Sequence, residues 1–307
     1  MHNQEISLMS KISLKGKTAI VTGAGGGLGR SHAKLLASLG ANVVVNDLGC
    51  AVDGSGQSTP MAQKVVDEIK AAGGNAVANM DSVTDRKTAS NIVKSALDHF
   101  GGLHILVNNA GILRDKSFSK LTDEEWDAVI DTHLNGTYNV TKAAWPILKE
   151  QQYGRIVITA SGSGMFGNFG QTNYGAAKSG LIGFAKALAQ EGAKYNVKTN
   201  ILCPAAASRM TENLMPPQIL EKLKPEAVSP IVAYLCTEEV NTNGAVFEAG
   251  AGSFAHANWA RSKGYKAKDA SGVATVDEIA AAWGDIMDMS APKVLDNPAL
   301  AMSEFMQ

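Results

Sequence analysis

Short apolar runs alternate along this chain with longer stretches in which apolar positions recur every three or four residues. Lys17-Thr18-Ala19-Ile20-Val21 reads as a buried strand, and a helical pattern at Leu28, Leu35, Leu36 and Leu39 follows it. Asn42-Val43-Val44-Val45-Asn46 is the next strand. Further strands are predicted at 76–79, 104–107, 155–159, 198–202 and 245–248, and helices at 61–72, 86–100, 123–148 and 172–194. Such alternation implies an α/β fold, a doubly wound parallel sheet with helices on both faces. Thr122-Asp123-Glu124-Glu125 is a capping box for the helix at 123–148, and Pro146 is expected to disturb or end that helix. Residues 49–60 form a loop longer than a usual strand–helix connection.

Composition narrows the class. The chain has 307 residues and a net charge of −1, which gives no electrostatic case for nucleic acid or an anionic membrane as partner. No apolar run reaches the ~18 residues of a membrane span, and Met1-His2-Asn3-Gln4-Glu5 lacks the apolar core of a secretory signal. Cys50, Cys203 and Cys236 are scattered, which suits reduced thiols better than disulfides, and neither they nor the histidines show metal-ligand spacing. The last residues, Glu304-Phe305-Met306-Gln307, are not a peroxisomal address tripeptide, and a cytoplasmic location is expected.

Two motifs bring chemistry. After the first strand, Thr22-Gly23-Ala24-Gly25-Gly26-Gly27-Leu28-Gly29 lets the backbone turn tightly and a pyrophosphate approach a helix N-terminus, where free N–H groups favour anions. Asp47 ends the second strand eighteen residues past Gly29, where a carboxylate accepts from ribose hydroxyls and repels a 2′-phosphate, so the cofactor is expected to be NAD rather than NADP. Tyr174 and Lys178 stand at i and i+4 of a predicted helix, on one face, with Ser161 thirteen residues upstream of the tyrosine. A free phenol titrates near ~10, and a cation beside it favours the phenolate that a base requires. Ser161 can hold the reacting oxygen; Ser163 is its near neighbour and competitor.

The order Thr22-Gly23-x3-Gly27-x-Gly29, Asn108-Asn109-Ala110-Gly111, Asn135, Ser161, Tyr174 and Lys178 resembles the short-chain dehydrogenase/reductase family over about residues 12–252. Val45-Asn46-Asp47-Leu48-Gly49, Asn109 to Asp115, Gly167 to Gln171 and Ser208 to Thr211 are similar to the (3R)-hydroxyacyl-CoA dehydrogenase domains of the peroxisomal multifunctional enzyme of type 2. The resemblance implies a Rossmann-type sheet binding NAD. Gly23, Gly27, Leu28, Gly29, Asp47, Asp81, Ser82, Asn109, Ala110, Gly111, Tyr174, Lys178 and Thr211 would contact the cofactor. It also implies a catalytic set of Asn135, Ser161, Tyr174 and Lys178, with Asn135 holding a water that links Lys178 to solvent. Asp81 reads equally as an adenine contact or a turn aspartate.

Substrate contacts would come from Ser161, Tyr174 and Arg209, with Arg114 a further candidate toward coenzyme A. A brief lid is expected at about 204–226, carrying Met210, Leu214 and Met215, with Pro204-Ala205 where the family usually has Pro-Gly. Residues 253–307 would form an extension packed on the core or a partner subunit, in a homodimer or larger homo-oligomer. The activity implied is interconversion of (3R)-hydroxyacyl-CoA and 3-ketoacyl-CoA. A steroid or other bulky secondary-alcohol dehydrogenase and a non-catalytic NAD sensor are the alternatives, and the Tyr–Lys pair argues against the sensor.

Overall fold

Apolar strands of about five residues need neighbours on both edges and cover on both faces. In the computed structural model, which describes residues 12–51, 53–56, 60–206, 217–269, 272–295 and 297–306, they find both in one sheet. Its strands are β1 (Thr18–Thr22), β2 (Asn42–Asn46), β3 (Asn75–Asn79), β4 (Ile105–Asn108), β5 (Gly154–Thr159), β6 (Val197–Ala205), β7 (Val246–Gly250) and β8 (Ser253–Ala257). They lie in the order β3-β2-β1-β4-β5-β6-β7-β8. The first seven pair in parallel. β7 and β8 are joined by Ala251 and Gly252, both at positive φ, the backbone of a two-residue hairpin, so β8 returns antiparallel and makes the sheet mixed at that edge.

The helices are α1 (Gly27–Ser38), α2 (Pro60–Ala71), α3 (Arg86–Phe100), α4 (Asp123–Ile130), α5 (Gly136–Glu150), α6 (Gly162–Phe166), α7 (Thr172–Gly192), α8 (Pro217–Leu220) and α9 (Ser229–Leu235). Val21, Val43, Val45, Ile105 and Val157 pack on one face against Leu36 of α1 and Val65, Val66 and Ile69 of α2. With both faces covered, the strands carry apolar residues in succession rather than in alternation.

The capping box forms as expected. The Thr122 hydroxyl accepts from the Glu125 amide at 3.3 Å, and the Glu125 carboxylate accepts from the Thr122 amide at 3.1 Å. The single helix expected at 123–148 is instead α4 and α5 joined by a π-helical turn at Asp131–Asn135. Pro146 does not end it: α5 continues to Glu150. Pro146 and Lys142, whose carbonyl loses its partner, both face solvent, where water can replace the lost bond, while buried Ala144 and Leu148 hold the last turn to the core.

The chain divides into two compact units, one ending at His256 and the other running from Ala257. Within the second, β9 (Ala260–Arg261) pairs antiparallel with β10 (Lys293–Val294). Thr275 and Glu278 cap α10 (Val276–Ala281) reciprocally, and α11 (Trp283–Met287) follows after a break at Ala282; α12 (Pro298–Met306) ends the described chain. Among the described residues no helix is long and apolar enough to cross a membrane.

In an open parallel sheet the ligand crevice lies beyond the carboxyl ends of the strands, where the strand order reverses. Here the reversal falls between β1 and β4.

Candidate active site

A cleft of about 810 Å³ opens at that point, within the size range of small-molecule sites. Gly23, Gly27, Leu28, Asp47, Asp81, Ser82, Asn109, Ala110 and Gly111 line one end, and Ser161, Tyr174 and Lys178 line the other.

The first end is built on close backbone approach. Gly23 has φ +63°, and a Cβ there would stand 2.7 Å from the Ala110 Cα. At Gly29, buried behind the cleft, a Cβ would meet the Gly23 carbonyl oxygen at 2.2 Å. Both glycines are therefore demanded by packing, since no L side chain fits. The Thr22 hydroxyl accepts from the amides of Asn109 and Ala110 at 3.0 and 3.1 Å, and Asn109 Nδ2 donates to the carbonyls of Thr22 and Gly23. The two loops are thus tied together. Among the described residues no side chain caps α1, whose N-terminal residues Gly26, Gly27 and Leu28 face the cleft with amides available to an anion.

Asp47 Oδ2 accepts from the Gly25 amide at 2.8 Å and Oδ1 from the Gly49 amide at 2.7 Å, which fixes the carboxylate at the end of β2. Asp81 is held by Asn79, whose Nδ2 donates to its carboxylate at 2.8 Å, and by Asn46, whose Nδ2 donates to its carbonyl at 2.9 Å. Arg114 lines the cleft, and its Nε donates to the Asp53 carbonyl at 2.6 Å, which ties the long loop after β2 to the segment after β4.

The second end is built on burial. Lys178 is 3% exposed, and its ammonium donates to the Thr159 carbonyl at 2.5 Å and lies 5.5 Å from the Tyr174 ring centroid. Burial pulls Lys178 down to about 7 and pushes the Tyr174 phenol above its ordinary value, while a hydrogen bond with Ser161 draws the phenol partly back. The expected lowering of Tyr174 by Lys178 is thus overridden, because desolvation penalises each charge taken singly. Ser161 caps α6, its hydroxyl accepting from the Ser163 amide at 3.1 Å. Ser163 is engaged elsewhere: its hydroxyl donates to Gln171 Oε1 at 2.8 Å, and Gln171 in turn donates to Asp115 at 2.7 Å. No local sequence signal pairs the residues of this Ser163–Gln171–Asp115 chain.

Asn135 is not in the site. It is exposed, its Nδ2 donates to Asp131 at 2.7 Å, and it does not line the cleft. Two residues apart on a helix, side chains point to different sides. His133 is the residue that the π turn directs inward, 2% exposed and edge-on to the Tyr174 ring at 5.1 Å. Residue type had favoured the asparagine, but helical periodicity held the right signal: Val129, His133, Thr137, Val140 and Ala144 form one buried stripe that excludes Asn135. Thr211 and Arg209, with Met210, Leu214 and Met215, lie outside the described residues. Pro204, Ala205 and Ala206 line the cleft where Pro-Gly was usual. Among the described residues no cluster of three or more His, Cys, Asp or Glu side chains is placed to hold a metal.

The chain can now be set beside known proteins. A short chain dehydrogenase family model matches residues 17–218. A short-chain type dehydrogenase/reductase of Mycobacterium tuberculosis is 53% identical over 91% of this chain and 96% of its own length. The peroxisomal hydratase-dehydrogenase-epimerase of Saccharomyces cerevisiae is 49% identical over 90% of this chain, which spans 31% of that longer protein. Among solved structures, full-length peroxisomal multifunctional enzyme type 2 from Drosophila melanogaster superposes with a TM-score of 0.81 at 40% identity, covering 96% of this chain and 49% of the other. The expected cytoplasmic location does not stand, because the yeast and fruit-fly relatives are peroxisomal proteins. Fold, glycine loop and extent of identity agree: the chain belongs to the short-chain dehydrogenase family, with its NAD(P)-binding Rossmann fold.

Proposed function

We propose that the chain oxidises (3R)-hydroxyacyl-CoA thioesters to 3-ketoacyl-CoA, reversibly, with NAD as electron acceptor. The observation that carries this reading is the meeting of Ser161, Tyr174 and Lys178 at one end of a cleft whose other end has glycines that admit no Cβ and an uncapped helix. Gly23, Gly27 and Leu28 would hold the pyrophosphate, Asp47 the adenosine ribose, and Asp81 with Ser82 the adenine side. Asp47 favours NAD, since its carboxylate would repel a 2′-phosphate. When bound, the nicotinamide supplies the site that accepts a hydride.

Tyr174 takes the hydroxyl proton as the hydride leaves the same carbon, and Ser161 donates a hydrogen bond to the oxygen as it becomes a carbonyl. Burial works against a lone phenolate and a lone ammonium alike, so the two gain by being charged together, each as counter-ion of the other. Lys178 is therefore placed to stabilise the phenolate in the step that needs it. One oxygen position set by Ser161 and Tyr174 admits hydride transfer from one hand of the carbon. The thioester class follows from the similarity of residues 45–49, 109–115 and 167–171 to hydroxyacyl-CoA dehydrogenase domains.

NADH formation across a panel of (3R)- and (3S)-hydroxyacyl-CoA thioesters, free secondary alcohols and hydroxysteroids tests the reading. The (3R) thioesters should give the highest kcat/KM. A steroid or free alcohol that outperforms every thioester, or a preference for (3S), would overturn the substrate while leaving the dehydrogenase.

A further inference from the structure

Between α1 and α9 lies a polar knot that the chemistry of the cleft does not use. Ser31, His32 and Ser229 are all buried, His32 at 1% exposure. His32 Nδ1 stands 2.8 Å from the Ser229 hydroxyl oxygen, and the Ser31 hydroxyl stands 2.6 Å from the same oxygen. That oxygen also lies 3.4 Å from the Pro225 carbonyl, in the 3₁₀ turn Pro225–Ala227. His32 Nε2 is buried with no hydrogen-bond partner among the described residues. Burial holds the imidazole neutral, its value down to about 3.

Ser31 and Ser229 have one hydroxyl proton each, so however those two protons run, Nε2 stays unmatched and costs stability. A leucine at this position would carry no such cost, and packing of one helix on another asks for nothing polar here. What an apolar contact does not give is direction. It lets a helix turn and slide, whereas two short hydrogen bonds to one oxygen fix both. In α1 that freedom matters, because Gly27 and Leu28 at its start face the cleft. Leu28 stands one turn before His32 on the same face. Across the knot, Leu223, just ahead of the 3₁₀ turn, also lines the cleft. His32 itself does not, so the cost falls behind the cofactor end and not on the surface that meets the ligand.

Resting on the cofactor role given above to Gly27 and Leu28, we propose that His32 is a positioning residue for the dinucleotide. Through Ser229 it fixes the rotation and axial position of α1, and with them the aim of the Gly27 and Leu28 amides at the pyrophosphate. Ser31 tightens that hold by sharing the same oxygen. No proton is exchanged in this role, and the imidazole stays neutral throughout.

His32→Leu removes both nitrogens, the unmatched one included. Its melting temperature should hold or rise, while NAD affinity by fluorescence titration falls about 10-fold. At saturating NAD, kcat should stay within about 3-fold of wild type. ADP, which carries the pyrophosphate, should lose affinity by the same factor as NAD, and adenosine should lose none. His32→Asn, whose amide reaches about where Nδ1 stands, should restore NAD affinity to within about 3-fold of wild type. Ser229→Ala cuts the knot from the α9 side and should weaken NAD binding alike, with no further loss when combined with His32→Leu. A merely structural histidine would instead lower the melting temperature and leave NAD affinity in place. That result, an Asn variant no better than Leu, an equal loss for adenosine, or additive losses in the double variant would overturn the proposal. Wild type is titrated alongside: failure to bind NAD would sink the cofactor reading and this role with it, whereas wild-type binding with unchanged variants would sink the role alone.

Discussion

The two ends of the cleft are made by opposite means. Around Gly23 and Asp47, polar groups are paired: both carboxylate oxygens of Asp47 accept backbone amides, and Asn109 and Thr22 lock two loops together. Around Tyr174, polar groups are buried at a cost: Lys178 falls to about 7, Tyr174 rises, and His133 Nδ1 has no partner among the described residues. Binding needs a rigid, satisfied surface that matches an unchanging dinucleotide. Proton transfer needs groups whose charged and neutral forms lie close in energy, and burial brings Lys178 there. The difference teaches that the chain keeps its strain where charge must move.

The largest test attacks the satisfied end. Gly29→Ala would bring a methyl to 2.2 Å from the Gly23 carbonyl, so the loop must open or the strand must shift. NAD titration should show affinity lost by 10²-fold or more, or a lower melting temperature, because rigid packing there has no slack. Retained affinity would mean the glycine loop adapts, and the contrast between the two ends would fail.

Next comes the costly end. In Lys178→Met, turnover should drop by about 10²-fold or more while the protein becomes more stable at and below neutral pH. The folded value of Lys178 is about 7 against an ordinary 10.5, so the unfolded chain binds more protons between those limits. Wild-type stability from this group therefore rises with pH from about 7 to 10.5, and the penalty is fully present below 7. Denaturant melts of both proteins at pH 6 and pH 9 should differ more at pH 6; a pH-independent difference would show that Lys178 is not held at a cost.

A smaller change is expected at Asp47. Neutralising it to Ser and adding an arginine at Leu48 should shift kcat/KM toward NADP by about 10-fold or more, since the repulsion goes and a phosphate partner appears. Equal wild-type efficiency with NAD and NADP would remove the ribose role from Asp47. The smallest effect belongs to Asn135→Ala. Exposed and paired with Asp131, Asn135 should change kcat by less than about 2-fold. A large loss would return it to the proton path.

Legibility in the sequence follows the same contrast. β1 to β7, the glycine loop and the Asp47 position were readable because each rests on a local rule, an apolar run, a left-handed glycine or a strand end. Arg86–Phe100 was predicted to the residue, where Asp85 caps the start with two amide bonds and Gly101 ends it at φ 76°. Errors fell where a tertiary contact decides. The π turn depends on packing between α4, α5 and α7, so residue type chose Asn135 over His133. Pro146 stays inside its helix because its neighbours on one side meet water and on the other meet the core. The upward shift of Tyr174 and the downward shift of Lys178 depend on burial that spacing alone does not give.

Tyr174→Phe tests the central claim most directly, because it removes the phenol oxygen and keeps the ring that packs on His133. NAD affinity by fluorescence titration and single-turnover oxidation of a (3R)-hydroxyacyl-CoA are measured on the same preparation. The account predicts affinity within about 2-fold of wild type and turnover lowered by about 10²-fold or more. Turnover near wild type, or affinity that falls in step with turnover, would contradict it.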